Sequence, residues 1–265
     1  VRKIKVITIS RKRIFQALTG GVALIALFVL AVVPLIGGAT NLVATVTGTG
    51  TAKLVPIYSV ATEEKKVAIS FDACWGAEYT DDILEAMDKY ELKTTFFLVN
   101  IWLEEYPELA KEISERGHEL GLHTVSHPHL GGLSEGEIRE ELTDNANLIE
   151  DLTGQKPKLF RPPFGEYNNK VIKVADSQGF QTIQWSIDSL DWMEGKTAQH
   201  IADRVLDNIG PGDIVLFHNN GEHTVEALTP IIEQLKKDGY EIVPISELIY
   251  HEDFYIDSAG IQRKK

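Results

Sequence analysis

Val67-Ala68-Ile69-Ser70-Phe71-Asp72 is a short apolar run that ends on a carboxylate. Its length and its Val, Ile and Phe content fit a buried strand. Four further runs have the same form: ELGLH (Glu119–His123), LFRPP (Leu159–Pro163), TIQWSID (Thr182–Asp188) and IVLFH (Ile214–His218). Each carries, at or near its end, a residue able to do acid, base or metal chemistry. Amphipathic, helix-like segments separate the runs. Strands alternating with helices imply a parallel sheet. In a closed parallel barrel the strand C-termini converge on one face, where catalytic groups gather. Asp72, His123, Arg161, Asp188 and His218 would then share one cleft. The fold class expected is α/β, a distorted (β/α) barrel of about seven parallel strands. A doubly wound open sheet is the alternative.

Two more strands, Thr94–Asn100 and Glu241–Ser246, complete the seven. Helices are expected over Thr80–Tyr90, Tyr106–Arg116, Ser134–Thr153, Lys170–Gln178, Ala198–Asn208 and Val225–Lys237. Ser134-Glu135-Gly136-Glu137 is a capping-box pattern. Gly117, Gly154, Gly179 and Gly239 each follow a helix, as C-terminal glycines do.

The formal net charge is −13. The first 13 residues hold Arg2, Lys3, Lys5, Arg11, Lys12 and Arg13, so the rest is more acidic still. Such a body repels phosphate backbones, which argues against nucleic acid as a partner. The one cysteine, Cys74, precludes an intrachain disulfide. Ile14–Pro34 has no charge and only Gln16 and Thr19 as polar side chains. That is long enough to span a bilayer, and the basic cluster ahead of it predicts N-terminus in and body out. The division expected is a basic cytoplasmic segment over 1–13, a single-pass anchor over 14–36, a tether over 37–62, the folded domain over 63–250 and a tail over 251–265. The end of that tail, Gln262–Lys265, is polar and expected to be disordered. A cleaved signal peptide, cut near Gly37-Gly38-Ala39, is the rival to the anchor; both export the body.

His123-Thr124-Val125-Ser126-His127 places two imidazoles four apart, able to meet one metal ion if the segment is helical or tightly turned. HxxxH is also a common surface pair; its position at a strand end is what distinguishes this one. His129, after Pro128, is expected to face solvent. Asp72 ends an apolar strand, where an ionised carboxylate needs a partner. Arg161 leaves the core before Pro162-Pro163-Phe164-Gly165; either a structural ion pair or a site carboxylate would account for it. Asp188-Ser189-Leu190-Asp191-Trp192 sets two carboxylates beside an indole, and turn formation explains one of them. Leu216-Phe217-His218 ends the last barrel strand on an imidazole.

In this order the residues resemble carbohydrate esterase family 4, the polysaccharide deacetylases with a NodB-like homology domain. The resemblance covers roughly Val67 to Ile249. It rests on S-F-D-A (Ser70–Ala73), H-T-V-S-H (His123–His127), R-P-P-F-G (Arg161–Gly165), D-S-L-D-W (Asp188–Trp192) and L-F-H (Leu216–His218). The anchor and the F-D-A-x-W-G-A-E-Y-T form of the first motif are similar to the membrane-anchored PdaB-like group of spore-forming bacteria, which implies a role in sporulation. The family resemblance implies hydrolytic N-deacetylation of an N-acetylated glycan, peptidoglycan or chitooligosaccharide-like, by a monomer. A divalent metal, zinc or cobalt, would be held by His123 and His127. It would polarise the N-acetyl carbonyl and lower the pKa of a bound water. Asp72 would be the general base and His218 the acid for the leaving amine. Arg161 would orient Asp72, and Asp191 would orient His218. The Phe164 N–H would help hold the oxyanion, and Trp192 and Leu216 would shape the acetyl pocket.

One position departs from the family. The metal triad is Asp-His-His, with its Asp second in F-D-D; here that residue is Ala73. A methyl group ligates nothing, which leaves the site one protein ligand short. Waters filling the gap, ligation by Asp72 and ligation by the Cys74 thiolate are all open, strand alternation putting Cys74 on the Asp72 side. The function expected is a deacetylase, with a glycan-binding pseudoenzyme as the alternative.

Overall fold

The computed structural model describes residues 52–265. The expected anchor and most of the tether lie outside that range; within it no helix is long and apolar enough to cross a membrane. The strands in chain order are β1 (Ser59–Val60), β2 (Lys66–Ala73), β3 (Thr95–Leu98), β4 (Glu119–Leu122), β5 (Leu159–Phe160), β6 (Gln181–Thr182), β7 (Ile187–Asp188) and β8 (Ile214–His218). From β2 onward they lie in the order β6-β5-β4-β3-β2-β8-β7, every pairing parallel. The result is an α/β fold with a seven-strand parallel half-barrel. A further short strand, β9 (Glu241–Ile242), pairs with the start of β2.

Alternation along β2 divides the core. Val67, Ile69, Phe71 and Ala73 pack outward with the helices, while Ala68 joins Phe97, Leu159, Ile183 and Ile214 on the other face. Each such burial contributes about 1.5–3 kcal/mol for the large side chains. Ser70 and Asp72 share the Ala68 face, so the polar residues of β2 point away from the helices. The helices are α1 (Thr80–Lys89), α2 (Asn100–Glu105), α3 (Pro107–Glu115), α4 (Glu135–Thr153), α5 (Asn169–Ser177), α6 (Ala198–Leu206) and α7 (Thr224–Lys237), with a one-turn α8 at Ile245–Leu248. The capping box forms at α4: the Glu137 amide donates to Ser134 Oγ and the Ser134 amide to Glu137 Oε2.

The structure departs from the sequence expectation at several places. Glu241–Ser246, expected as a seventh barrel strand, is a strand only over Glu241–Ile242 and leads into α8, and the expected strand Thr94–Asn100 ends at Leu98, ahead of α2. The run Thr182–Asp188 is split between β6 and β7, which lie at opposite edges of the sheet. Residues 183–186 cross the seam between those edges. The gap is filled by the chain ahead of β1: the Ile57 amide donates to the Thr182 carbonyl and the Gln184 amide to the Ile57 carbonyl. Residues 57–60, placed in the tether by their polar and β-branched composition, are therefore part of the fold; Ile57 and Val60 are buried. The Val60 amide donates to the Gly212 carbonyl. Gly212 has φ +84°, and a Cβ there would lie 1.8 Å from the Val60 oxygen, so only glycine admits this approach. Lastly, Gln262–Lys265 is ordered. β10 (Phe254–Ile256) and β11 (Ile261–Lys264) pair antiparallel, and β1 lies parallel to β11. Gln262 supplies the reason: its amide side chain is buried and bonds both the N–H and the carbonyl of Tyr250.

Candidate active site

Asp72, at the end of β2, is buried and bonded through Oδ1 to Arg161 Nη1 at 2.7 Å. Arg161, just past β5, is wholly buried. Its Nη2 donates to Ser70 Oγ at 2.9 Å and to the Gln184 carbonyl at 3.3 Å, and its guanidinium lies 4.1 Å from the centre of the Phe97 ring. Burial alone would raise the Asp72 pKa; the charge of Arg161, with His123 and His218, holds it below the usual carboxylate value. Asp72 is thus a charged, oriented carboxylate.

His218 ends β8, directly opposite Asp72 in register. Its Nδ1 is 2.9 Å from Asp191 Oδ1, and its backbone amide donates to Asp191 Oδ2 at 2.8 Å. Asp191 Oδ2 also accepts from Thr224 Oγ1 at 2.6 Å. Burial would lower the His218 pKa, but the Asp191 carboxylate outweighs it and holds the imidazole above its ordinary value. The turn before Asp191 is made by Asp188, whose Oδ1 accepts from the Leu190 amide at 2.9 Å.

His123 follows β4 and is buried; its Nδ1 bonds the Arg161 carbonyl at 2.7 Å. A carbonyl only accepts, so the proton is on Nδ1 and the Nε2 lone pair faces the pocket, 3.6 Å from Asp72 Oδ2. The chain then turns tightly rather than running helical, with φ 77° at Thr124 and 53° at His127. The turn is clamped from α4. Asn145 Oδ1 accepts from the His123 and Thr124 amides at 2.9 and 3.0 Å, and Glu141 Oε2 accepts from Val125 and Ser126 at 2.8 and 3.0 Å. The two imidazole centres come within 5.0 Å. Burial pushes both pKa values down, that of His127 to about 4, so both rings are neutral and able to ligate near pH 7.

Phe164 and Leu190 also have left-handed backbones, with φ 59° and 60°. Among the described residues, four of the six non-glycine positions with positive φ therefore lie on the loops around this site. Such conformations cost on the order of 1–3 kcal/mol each and persist where the surroundings impose them.

The groups surround a cavity of about 400 Å³ lined by Asp72, Cys74, Trp75, His123, His127, Phe164, Trp185, Asp188, Trp192, Leu216, His218 and Asn220. Trp75, Phe164 and Trp192 are more than half exposed at its edge, a wall suited to stacking on sugar faces. His129 is exposed, stacked 4.4 Å from Phe164 and 2.9 Å from Glu166. Arg161 and Asp191 stand behind Asp72 and His218 rather than in the wall. Trp75, Trp185, Asn145 and Glu141 were not singled out in the sequence. Trp75 follows the β2 motif closely enough to have signalled itself; the α4 pair has no local signal.

The donors fit a divalent cation in part. His123 and His127 are neutral, and His127 Nδ1 is buried without a hydrogen-bond partner. Ala73 is fully buried in the helix-side core and does not line the cavity.

Residues 59–183 match the polysaccharide deacetylase family. The chain is 36% identical over 195 residues to a peptidoglycan-N-acetylglucosamine deacetylase of Bacillus cereus, covering 72% of this chain and 70% of that protein. It is 35% identical over 194 residues to Bacillus subtilis YlxY, an uncharacterized protein; the match covers 73% of this chain and 60% of YlxY. Among solved structures, BA3943 of Bacillus anthracis, described as a CE4 family pseudoenzyme, superposes with a TM-score of 0.70 at 38% identity, covering 73% of this chain and 68% of that one. A mutant of BA3943 described as having restored enzymatic activity gives 0.71 at 39% identity, covering 73% and 71%.

Proposed function

Because the chain belongs to the polysaccharide deacetylase family, carbohydrate esterase family 4, we propose that it hydrolyses N-acetyl groups of a cell-wall glycan, peptidoglycan foremost, releasing acetate. The observation that carries this reading is the pair of oriented groups facing one cavity: Asp72 held by Arg161, and His218 held by Asp191. Their surroundings push their pKa values apart, which separates a base from an acid. Bound between His123 and His127, a divalent cation would supply Lewis-acid polarisation of the acetyl carbonyl. Asp72 takes the proton of the attacking water, and its bond to Arg161 keeps the other carboxylate oxygen free. His218 gives its proton to the departing amine and is recharged from solvent. The Phe164 amide is assigned to the oxyanion, and Trp192 and Leu216 to the acetyl pocket. Acetate release from peptidoglycan by the full chain, metal-stripped and then supplied with zinc or cobalt, tests this. Asp72→Asn keeps the shape but loses the base, with an expected loss of about 10²–10⁴-fold in rate.

A second reading has one specific observation behind it. Ala73 stands where the resemblance places a ligand, and a relative of this chain is described as a pseudoenzyme. On that reading the cavity grips glycan without turnover, and Asp72→Asn changes little. Glycan binding with no acetate under any metal would decide for it.

We further propose that the pocket works outside the cell on a single-pass anchor over 14–36, a reading supported by the charge-free stretch behind a basic N-terminus. Protease added to intact cells should then degrade the body; a protected body would overturn the topology.

A further inference from the structure

We propose that Cys74 is the third protein ligand of a Cys-His-His cation site with His123 and His127, in place of the carboxylate that Ala73 lacks. The inference deepens the deacetylase reading of this pocket, but it is tested without substrate. One donor atom from each of the three residues lies within 4.8 Å of the other two. Bonds of about 2.3 Å to sulfur and about 2.0–2.1 Å to nitrogen in a tetrahedral site set the donors roughly 3.3–3.6 Å apart, so side-chain rotation would draw the triangle in as the cation binds. Cys74 is the first residue past β2; it is buried beside the helix-side core yet lines the cavity, whereas Ala73 does not reach the cavity.

Asp72 does not serve instead. It stands outside this cluster; its Oδ1 is taken by Arg161, and its free Oδ2, 3.6 Å from His123 Nε2, is the oxygen that the attacking water needs. Its role as base depends on staying off the cation. The buried Nδ1 of His127 has no hydrogen-bond partner, so no protein group competes for that ring nitrogen. As the cation binds, the Cys74 thiol gives its proton to solvent, and the thiolate carries the same single negative charge as the carboxylate it replaces, so the charge of the loaded site is unchanged. Its softness shifts preference toward zinc or cobalt and away from magnesium or manganese.

Cobalt(II) titration of the reduced, metal-free full chain reads the bond directly. A thiolate bound to cobalt gives a sulfur-to-metal charge-transfer band in the near ultraviolet. The chain has a single cysteine, so a band can come only from Cys74. The expected result is a band saturating at one cobalt per chain, displaced by zinc, and absent in Cys74→Ser. Cobalt affinity should fall in that variant by more than the ~10–100-fold that loss of a supporting outer partner costs. Cobalt bound without the band, a spectrum unchanged in Cys74→Ser, or no cobalt binding would overturn the assignment. The wild-type spectrum decides even if the variant fails to fold. None of these outcomes depends on acetate release, so failure of the ligand and failure of the deacetylase reading are told apart.

Discussion

Asp72 and His218 are Cα partners across two neighbouring strands, yet their surroundings push their pKa values in opposite directions. Arg161 makes one an anion; Asp191 makes the other a cation more readily than usual. The sign of the pH response follows. The His218 pKa is raised, so its acid form persists below that value and is lost as pH rises through it. Asp191→Asn removes the group that raises it. The alkaline limb of a kcat/KM profile should then move to lower pH, with a rate loss of up to about 10²–10⁴-fold; an unmoved limb would mean His218 is not the group being read. At this scale the sequence was informative because polar residues ending apolar strands are costly unless used. Asp72, His123 and His218 declared themselves that way. What it left open was the third ligand, since a cysteine beside a core strand is ordinarily just buried.

The strand-and-helix pattern was legible wherever an element carried its own signal. The capping box marked the start of α4, and Ile214–His218 is a strand over the full run expected. Signals failed where partners are remote. The run 182–188 reads as one strand, but its middle is taken by Ile57, far away in the chain. The His123–His127 turn likewise depends on α4, because Asn145 bonds two of its amides and also donates to Leu98 and Asn100. Asn145→Ala would leave several buried groups unpaired, each at a cost of about 1–3 kcal/mol. Chemical denaturation should show a loss beyond one such bond, and cobalt affinity should drop by roughly 10–100-fold, as for a supporting partner. Stability and affinity both unchanged would show that the turn holds itself.

Across residues 52–265 the seven-strand half-barrel gathers, on one side of the sheet, groups spread from Asp72 to Asn220. That much followed from strand-helix alternation, since a parallel sheet brings its strand ends together whatever the loops do. The edges did not follow, because Ile57, Val60 and Gln262 sit in stretches whose composition reads as linker or tail. Their burial has a consequence for the order in which the protein can be finished. Ser59 pairs with Ile261, and Val60 with Gln262, so the segment that leads this domain waits for the segment that closes it. Until then β1 lacks its parallel partner β11, and the growing chain carries a strand edge that is not yet covered. The β1–β11 pairing therefore closes late, after the sheet it abuts has been made.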